Sequence, residues 1–128
     1  MYFNNKSESD SQRASVLITR VMEYYESGDY EKALNGDPER TYMGEQVKGL
    51  KYIADEFGST EQGKIASLYT ANIYVNTSKH KEAVKYFENA QKASSDVVVM
   101  GAVAGLARVT SLITNILKQQ KCIWTLRK

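Results

Sequence analysis

Apolar residues recur every three or four positions along most of the chain, which is the spacing of one face of a helix. The first such series consists of Ala14, Leu17, Val21 and Tyr24, and it predicts a helix that ends near Ser27. No stretch shows sustained alternation of apolar and polar residues, the pattern of a half-buried strand. The sequence therefore predicts an all-α protein.

The later helices are separated by short segments that contain glycine, proline or small polar residues. Residues 35–38 end a short second helix, since glycine and proline together interrupt helical structure. Ser59 or Thr60 is placed to cap a helix after the turn at residues 58–61. We expect these helices to cover residues 30–34, 41–57, 63–76, 81–93 and a stretch beginning at residue 97.

One helix–turn–helix phrase occurs twice, fifty residues apart. Each copy has a tyrosine, then a small turn residue, then an aromatic ring and then alanine. The first copy consists of Tyr24, Gly28, Tyr30 and Ala33, and the second of Tyr74, Ser78, His80 and Ala83. A repeated unit of this kind predicts a right-handed array of antiparallel helical hairpins, an architecture that serves as a binding scaffold.

Residues 63–96 resemble a tetratricopeptide repeat. The matching residues are Ala71, Tyr74, Ala83, Phe87 and Ala90. The leucine and tryptophan often found early in the first helix of that family are absent, and so is its final proline. The resemblance implies an α-solenoid built of such repeats, with residues 10–107 as its helical domain.

The chain is also similar to bacterial membrane-anchored repeat proteins of the ancillary Sec-translocon type. This similarity rests on residues 33–37, on the long segment that follows them and on residues 57–66. It implies repeats on the outer, periplasmic side of the inner membrane, held by an N-terminal anchor that we expect to precede residue 1; a cytoplasmic location is the alternative. We expect residues 1–9 to be disordered, either as a linker after such an anchor or as an ordinary chain start.

In the resembled family the first helix of each hairpin lines a concave groove that binds a polypeptide or a partner subunit. Carried over to this sequence, the groove residues are Ile18, Met22, Tyr25, Glu26, Leu68, Asn72, Val75 and Asn76. A mixture of tyrosine, methionine and asparagine suits contact with a peptide backbone and its side chains. The implied function is a non-catalytic protein–protein interaction scaffold.

The charge and the reactive residues argue against other classes of function. Seventeen basic and fifteen acidic residues are interspersed and give a net charge of +2, so there is no basic stripe for nucleic acid. With one cysteine, Cys122, and one histidine, His80, we expect no catalytic residues, metal, cofactor or small-molecule substrate. The longest apolar stretch, residues 97–107, contains eleven residues without charge, which is too short to span a bilayer.

The repeat pattern stops after Ala107. If one nucleotide is lost near that codon, residues 108–128 can be decoded, with a choice of codons at many positions, to a string that aligns without gaps to residues 74–92. We therefore interpret residues 108–128 as an aberrant, frameshifted end of a third repeat. The alternative is a divergent final helix, since Val109, Leu112 and Ile116 share one face. Such a helix could pair with a second chain, and a homodimer through the C-terminal helices is the alternative function.

Overall fold

The computed structural model describes the backbone of residues 2–127 and the side chains of residues 9–122. About 75% of the protein is helical, so the expectation of a mainly α-helical fold is confirmed. In chain order the elements are α1 (Tyr2–Ser27), α2 (Tyr30–Asn35), β1 (Gly36–Tyr42), β2 (Glu45–Lys48), α3 (Leu50–Glu56), α4 (Glu61–Asn76), α5 (His80–Ala90) and α6 (Asp96–Arg127).

The helices are arranged as two hairpins followed by a long helix. The first hairpin pairs α1 with α2, and the second pairs α4 with α5. The two hairpins meet where α1 packs against α4, while α3 packs on α2 and α4. Helix α6 then lies against α5 and α4. Their shared core contains Leu17, Val21, Leu50, Ile53, Ile73, Phe87 and Val109, each at most 1% exposed.

The turns of the two hairpins have the same backbone geometry. Gly28 and Ser78 both adopt positive φ angles, 85° and 64°. This left-handed conformation suits glycine and is strained for serine. The hydrogen bonds that close the turns repeat as well, with N–H to carbonyl distances of 2.9 Å from Asp29 to Tyr24 and 2.7 Å from Lys79 to Tyr74. The internal repeat of the sequence is therefore also a repeat of local structure.

The prediction of a helix over residues 41–57 is wrong in its first half. Strands β1 and β2 form an antiparallel hairpin there, with Tyr42 opposite Glu45. Met43 and Gly44 make the connection at φ angles of 53° and 82°, and a right-handed helix cannot contain two such residues in succession. The fold is consequently not purely α-helical, although a two-stranded ribbon is its only sheet among the described residues.

A side-chain network fastens this ribbon to α1. Glu45 forms ion pairs with Arg13 and with Arg20, the latter at 2.8 Å between Nη1 and Oε1. Val47 of β2 is buried at 3% exposure. Because these contacts join residues far apart in the chain, the helical spacing of the local sequence did not reveal them.

The two ends of the chain differ from expectation. Helix α1 begins at Tyr2, so the backbone is helical through most of the segment 1–9 for which we expected disorder. At the other end, α6 passes the expected boundary at Ala107 without a break and reaches Arg127 as one helix of 32 residues. Its packing on the core continues to Val109 and Ile113, and the described side chains from residue 114 onward are exposed.

Candidate polypeptide-binding surface

The eight groove residues expected from the sequence all lie on the two helices that join the hairpins. We call these residues the α1–α4 surface. Helix α1 carries four of them and α4 the other four, and the two helices pack against each other. Two members, Glu26 and Asn76, are exposed, and six are partly buried: Ile18, Met22, Tyr25, Leu68, Asn72 and Val75.

Tyr25 occupies the junction between the two helices. Its ring meets that of Tyr69 edge to face, with the ring centres 4.9 Å apart. Its hydroxyl lies close to the side chain of Asn72. Burial raises the pKa of Tyr25 above its usual value, and the nearby Asn72 side chain opposes that shift. An aromatic ring from one hairpin is thereby placed beside an amide of the next.

A second contact of this type lies one helical turn further along α4. The Asn76 side-chain amide donates a hydrogen bond to the hydroxyl of Tyr30, with 3.4 Å between Nδ2 and oxygen. The rings of Tyr25 and Tyr30 have their centres 6.0 Å apart. Tyrosines and asparagines therefore alternate across the joint between the hairpins, where they present both ring edges and amide groups.

The structure adds Tyr69 and Tyr30 to the predicted set. Neither residue was among the eight expected from the sequence. A usable signal existed for Tyr69, because it precedes Asn72 by three positions and such residues are neighbours on a helix surface. Leu68 stands at the edge of the surface, since α6 covers part of it: a Cβ atom at Gly101 would lie 3.4 Å from Leu68 Cδ2.

A cluster of basic and aromatic side chains lies beside the strand ribbon. Arg40 lies over the rings of Tyr42 and Tyr24, with 5.2 Å and 5.9 Å to the ring centres. The Tyr24 hydroxyl donates a 2.6 Å hydrogen bond to Asp37, and this bond lowers the pKa of that carboxyl. These contacts connect α1 to the ribbon, so we assign the cluster a structural role. Because the sequence predicted a helix over residues 41–57, it did not indicate this cluster.

A cavity lies away from the α1–α4 surface. It has a volume of about 530 Å³ and lies among α3, α4 and α5, where it is lined by Asp55, Lys85, Tyr86 and Lys92, among others. The Tyr86 hydroxyl donates to Asp55 Oδ1 at 3.1 Å. Burial and the Asp55 carboxylate both raise the pKa of Tyr86, which stays protonated and ties α5 to α3.

The other reactive groups stand apart from one another. Among the side chains of residues 9–122, no three or more of His, Cys, Asp or Glu are grouped closely enough to hold a metal ion. Cys122 is an exposed free thiol. His80 begins α5 and is partly buried, with its Nδ1 atom shielded from solvent.

Helix α6 has a longer apolar part than the sequence predicted. Its part from Asp96 to Cys122 is long and apolar enough to cross a membrane by length and composition alone. The uncharged stretch ends at Arg108, but the residues beyond Arg108 add enough apolar side chains to outweigh their few charges. Composition alone is weak evidence for membrane insertion, and Val98, Ala102 and Val109 of this helix are buried in the core of the protein.

Comparison with known proteins gave no relatives. No family model, no curated protein and no solved structure matches this chain.

Proposed function

We propose that this protein is a non-catalytic scaffold of the tetratricopeptide-repeat type, whose α1–α4 surface binds a segment of polypeptide. The observation that carries the proposal is the joint between the hairpins, where Tyr25 of α1 contacts Tyr69 and Asn72 of α4. The duplicated turns at Gly28 and Ser78 support the repeat architecture, because each hairpin reverses its chain in the same way.

The chemistry of the surface suits an extended peptide. Ile18 and Met22 offer partly exposed apolar area, and methionine adapts readily to different partners. Asn72 and Asn76 carry amides that both donate and accept hydrogen bonds, which an extended backbone needs at regular intervals. Tyr25 combines apolar area with a polar end and few rotatable bonds, a combination that favours recognition.

Peptide selection tests the proposal. The purified protein would be used to select binders from a random peptide library, and labelled peptides would then be titrated by fluorescence polarisation. The test variant combines Tyr25→Ala with Asn72→Ala. The control combines Glu88→Ala with Lys92→Ala, two exposed residues that line the cavity among α3, α4 and α5.

The double change on the α1–α4 surface should weaken binding about tenfold or more, or roughly 1.4 kcal/mol and above, because a truncated central residue often costs over 1 kcal/mol. The control should bind within about twofold of the wild type. Circular dichroism must show both variants to be folded. If the surface variant binds normally while the cavity variant does not, the binding site is the cavity and the proposal is wrong.

A further inference from the structure

Helix α6 carries a regular row of exposed, uncharged residues outside the face that is buried in the core. We call this row the α6 seam. It consists of Met100, Val103, Ala107, Thr110, Thr114 and Leu117, and all six are exposed. Its last member, Leu117, also lines a cavity with the first residues of α5. Met100, Val103 and Leu117 are 70%, 45% and 58% exposed, which is a large apolar area for a surface helix.

The spacing of the seam is that of a coiled coil. Successive members are separated by three, four, three, four and three residues, which is the repeat of the two core positions of a heptad. The residues that pack on the rest of the protein form a separate face that includes Val98, Ala102 and Val109. The helix therefore has two apolar faces, of which only one is covered by its own chain.

The charges at the two ends of the seam indicate what covers it. Asp96 lies four positions before Met100, and Lys121 lies four positions after Leu117, so both continue the same heptad pattern. A second α6 running antiparallel would place Asp96 of each copy beside Lys121 of the other. A parallel partner would place like charges together at both ends, and it would also align the two helix dipoles unfavourably.

The size of the seam residues agrees with this arrangement. In an antiparallel pair the two-fold axis passes midway between Asp96 and Lys121, close to Ala107 and Thr110. These small side chains let the helices approach closely at the centre. Met100 of each copy then lies opposite Leu117 of the other, so the larger apolar residues meet on both sides of the axis.

We propose that two copies of this chain associate through the α6 seam in an antiparallel, two-fold symmetric pair. The surface used is distinct from the α1–α4 surface, so the pair can form whether or not that surface binds a polypeptide. With threonine at two of the six seam positions the association is weak, and the dimer forms at protein concentrations of micromolar to millimolar order.

Sedimentation equilibrium over a wide concentration range tests the dimer. The test variant is Val103→Glu, which places a charge in the seam. The matched control is Val16→Glu on α1, because Val16 is 47% exposed and Val103 is 45% exposed, so the two changes perturb the monomer to a similar degree. The wild type and the control should dimerise alike, whereas Val103→Glu should remain monomeric, with a dissociation constant raised at least tenfold.

Charge exchange tests the orientation. Asp96→Lys alone and Lys121→Asp alone should each weaken an antiparallel dimer, and the double exchange should restore it. In a parallel dimer the single changes only replace one like-charged pair by another and should have little effect. A wild type that stays monomeric throughout, or a dimer that Val103→Glu leaves intact, would overturn the proposal. Seam-dependent binding to lipid vesicles by a monomer would overturn it too, and would identify the seam as a membrane contact.

Discussion

The contact between α6 and α5 can be tested with two glycines on the same helix. Gly101 and Gly105 are one turn apart in α6. A Cβ atom at Gly105 would fall well inside van der Waals contact with the ring of Phe87, which is buried at 1% exposure. A Cβ atom at Gly101 would meet only the end of Leu68, at an ordinary 3.4 Å. The two positions therefore share a helical backbone and differ in the space available.

Both substitutions raise the free energy of unfolding by the same backbone contribution, because replacing a glycine inside a helix by alanine stabilises the helix by about 0.5–1 kcal/mol. Gly101→Ala should show this increase in stability. Gly105→Ala should also incur the cost of overpacking a filled core, about 1–3 kcal/mol. The difference between the variants isolates this cost, so we expect Gly105→Ala to be less stable than Gly101→Ala by about 1–3 kcal/mol.

Urea denaturation followed by far-UV circular dichroism, at one low protein concentration, measures both free energies of unfolding. Phe87→Leu provides a further check, because it removes the ring atoms nearest to the new methyl group, and Gly105→Ala should cost less in that background. If Gly105→Ala is as stable as Gly101→Ala, then α6 does not pack against the ring of Phe87.

Two further predictions concern the turns and the junction before α6. Gly28→Ala should destabilise the protein by about 1 kcal/mol in thermal unfolding, because Gly28 has a positive φ of 85°. Ser78→Gly at the equivalent turn should stabilise the protein. A stabilising Gly28→Ala or a destabilising Ser78→Gly would contradict the shared turn geometry. The backbone N–H groups of Ser94 and Ser95 donate to the Glu61 carboxylate and lower its pKa below the ordinary value of a glutamate. Since the folded pKa is depressed, the stability this contact provides is present above the unfolded pKa and is lost as the pH falls through the folded pKa. Glu61→Gln should therefore cost about 1 kcal/mol near neutral pH and progressively less in acid, and a cost independent of pH would refute the interaction.

The sequence predicted the parts of the fold that depend on local spacing. The turn phrase around Gly28 and its copy around Ser78 marked both hairpins correctly, and Thr60 caps α4 by accepting a hydrogen bond from Gly63, as expected. The strand ribbon was missed because its decisive features are not periodic. The ribbon depends on two successive residues at positive φ, Met43 and Gly44, and on an ion pair from Glu45 to α1.

The eight residues of the α1–α4 surface came from the resemblance to the repeat family, and the structure places four of them on α1 and four on α4. That they bind a polypeptide stays a prediction. The contact of Tyr25 with Tyr69 depends on how the two helices cross, which the spacing does not encode.

The end of α6 shows another limit of sequence reasoning. The expected break after Ala107 does not occur because no glycine or proline follows it up to Cys122, and Val109 and Ile113 continue the packed face. The interpretation of residues 108–128 as a frameshifted segment remains a hypothesis about the gene, and an in-frame genomic copy would refute it.

Nuclear magnetic resonance mapping of a bound peptide tests the central claim most directly. A peptide selected on the purified protein would be titrated into isotope-labelled chain, and the backbone amide shifts would be assigned to residues. We expect the largest changes to cluster at residues 18–26 of α1 and 68–76 of α4, centred on Tyr25 and Asn72. Changes that cluster around the cavity of Asp55 and Tyr86 instead, with α1 unperturbed, would contradict the claim.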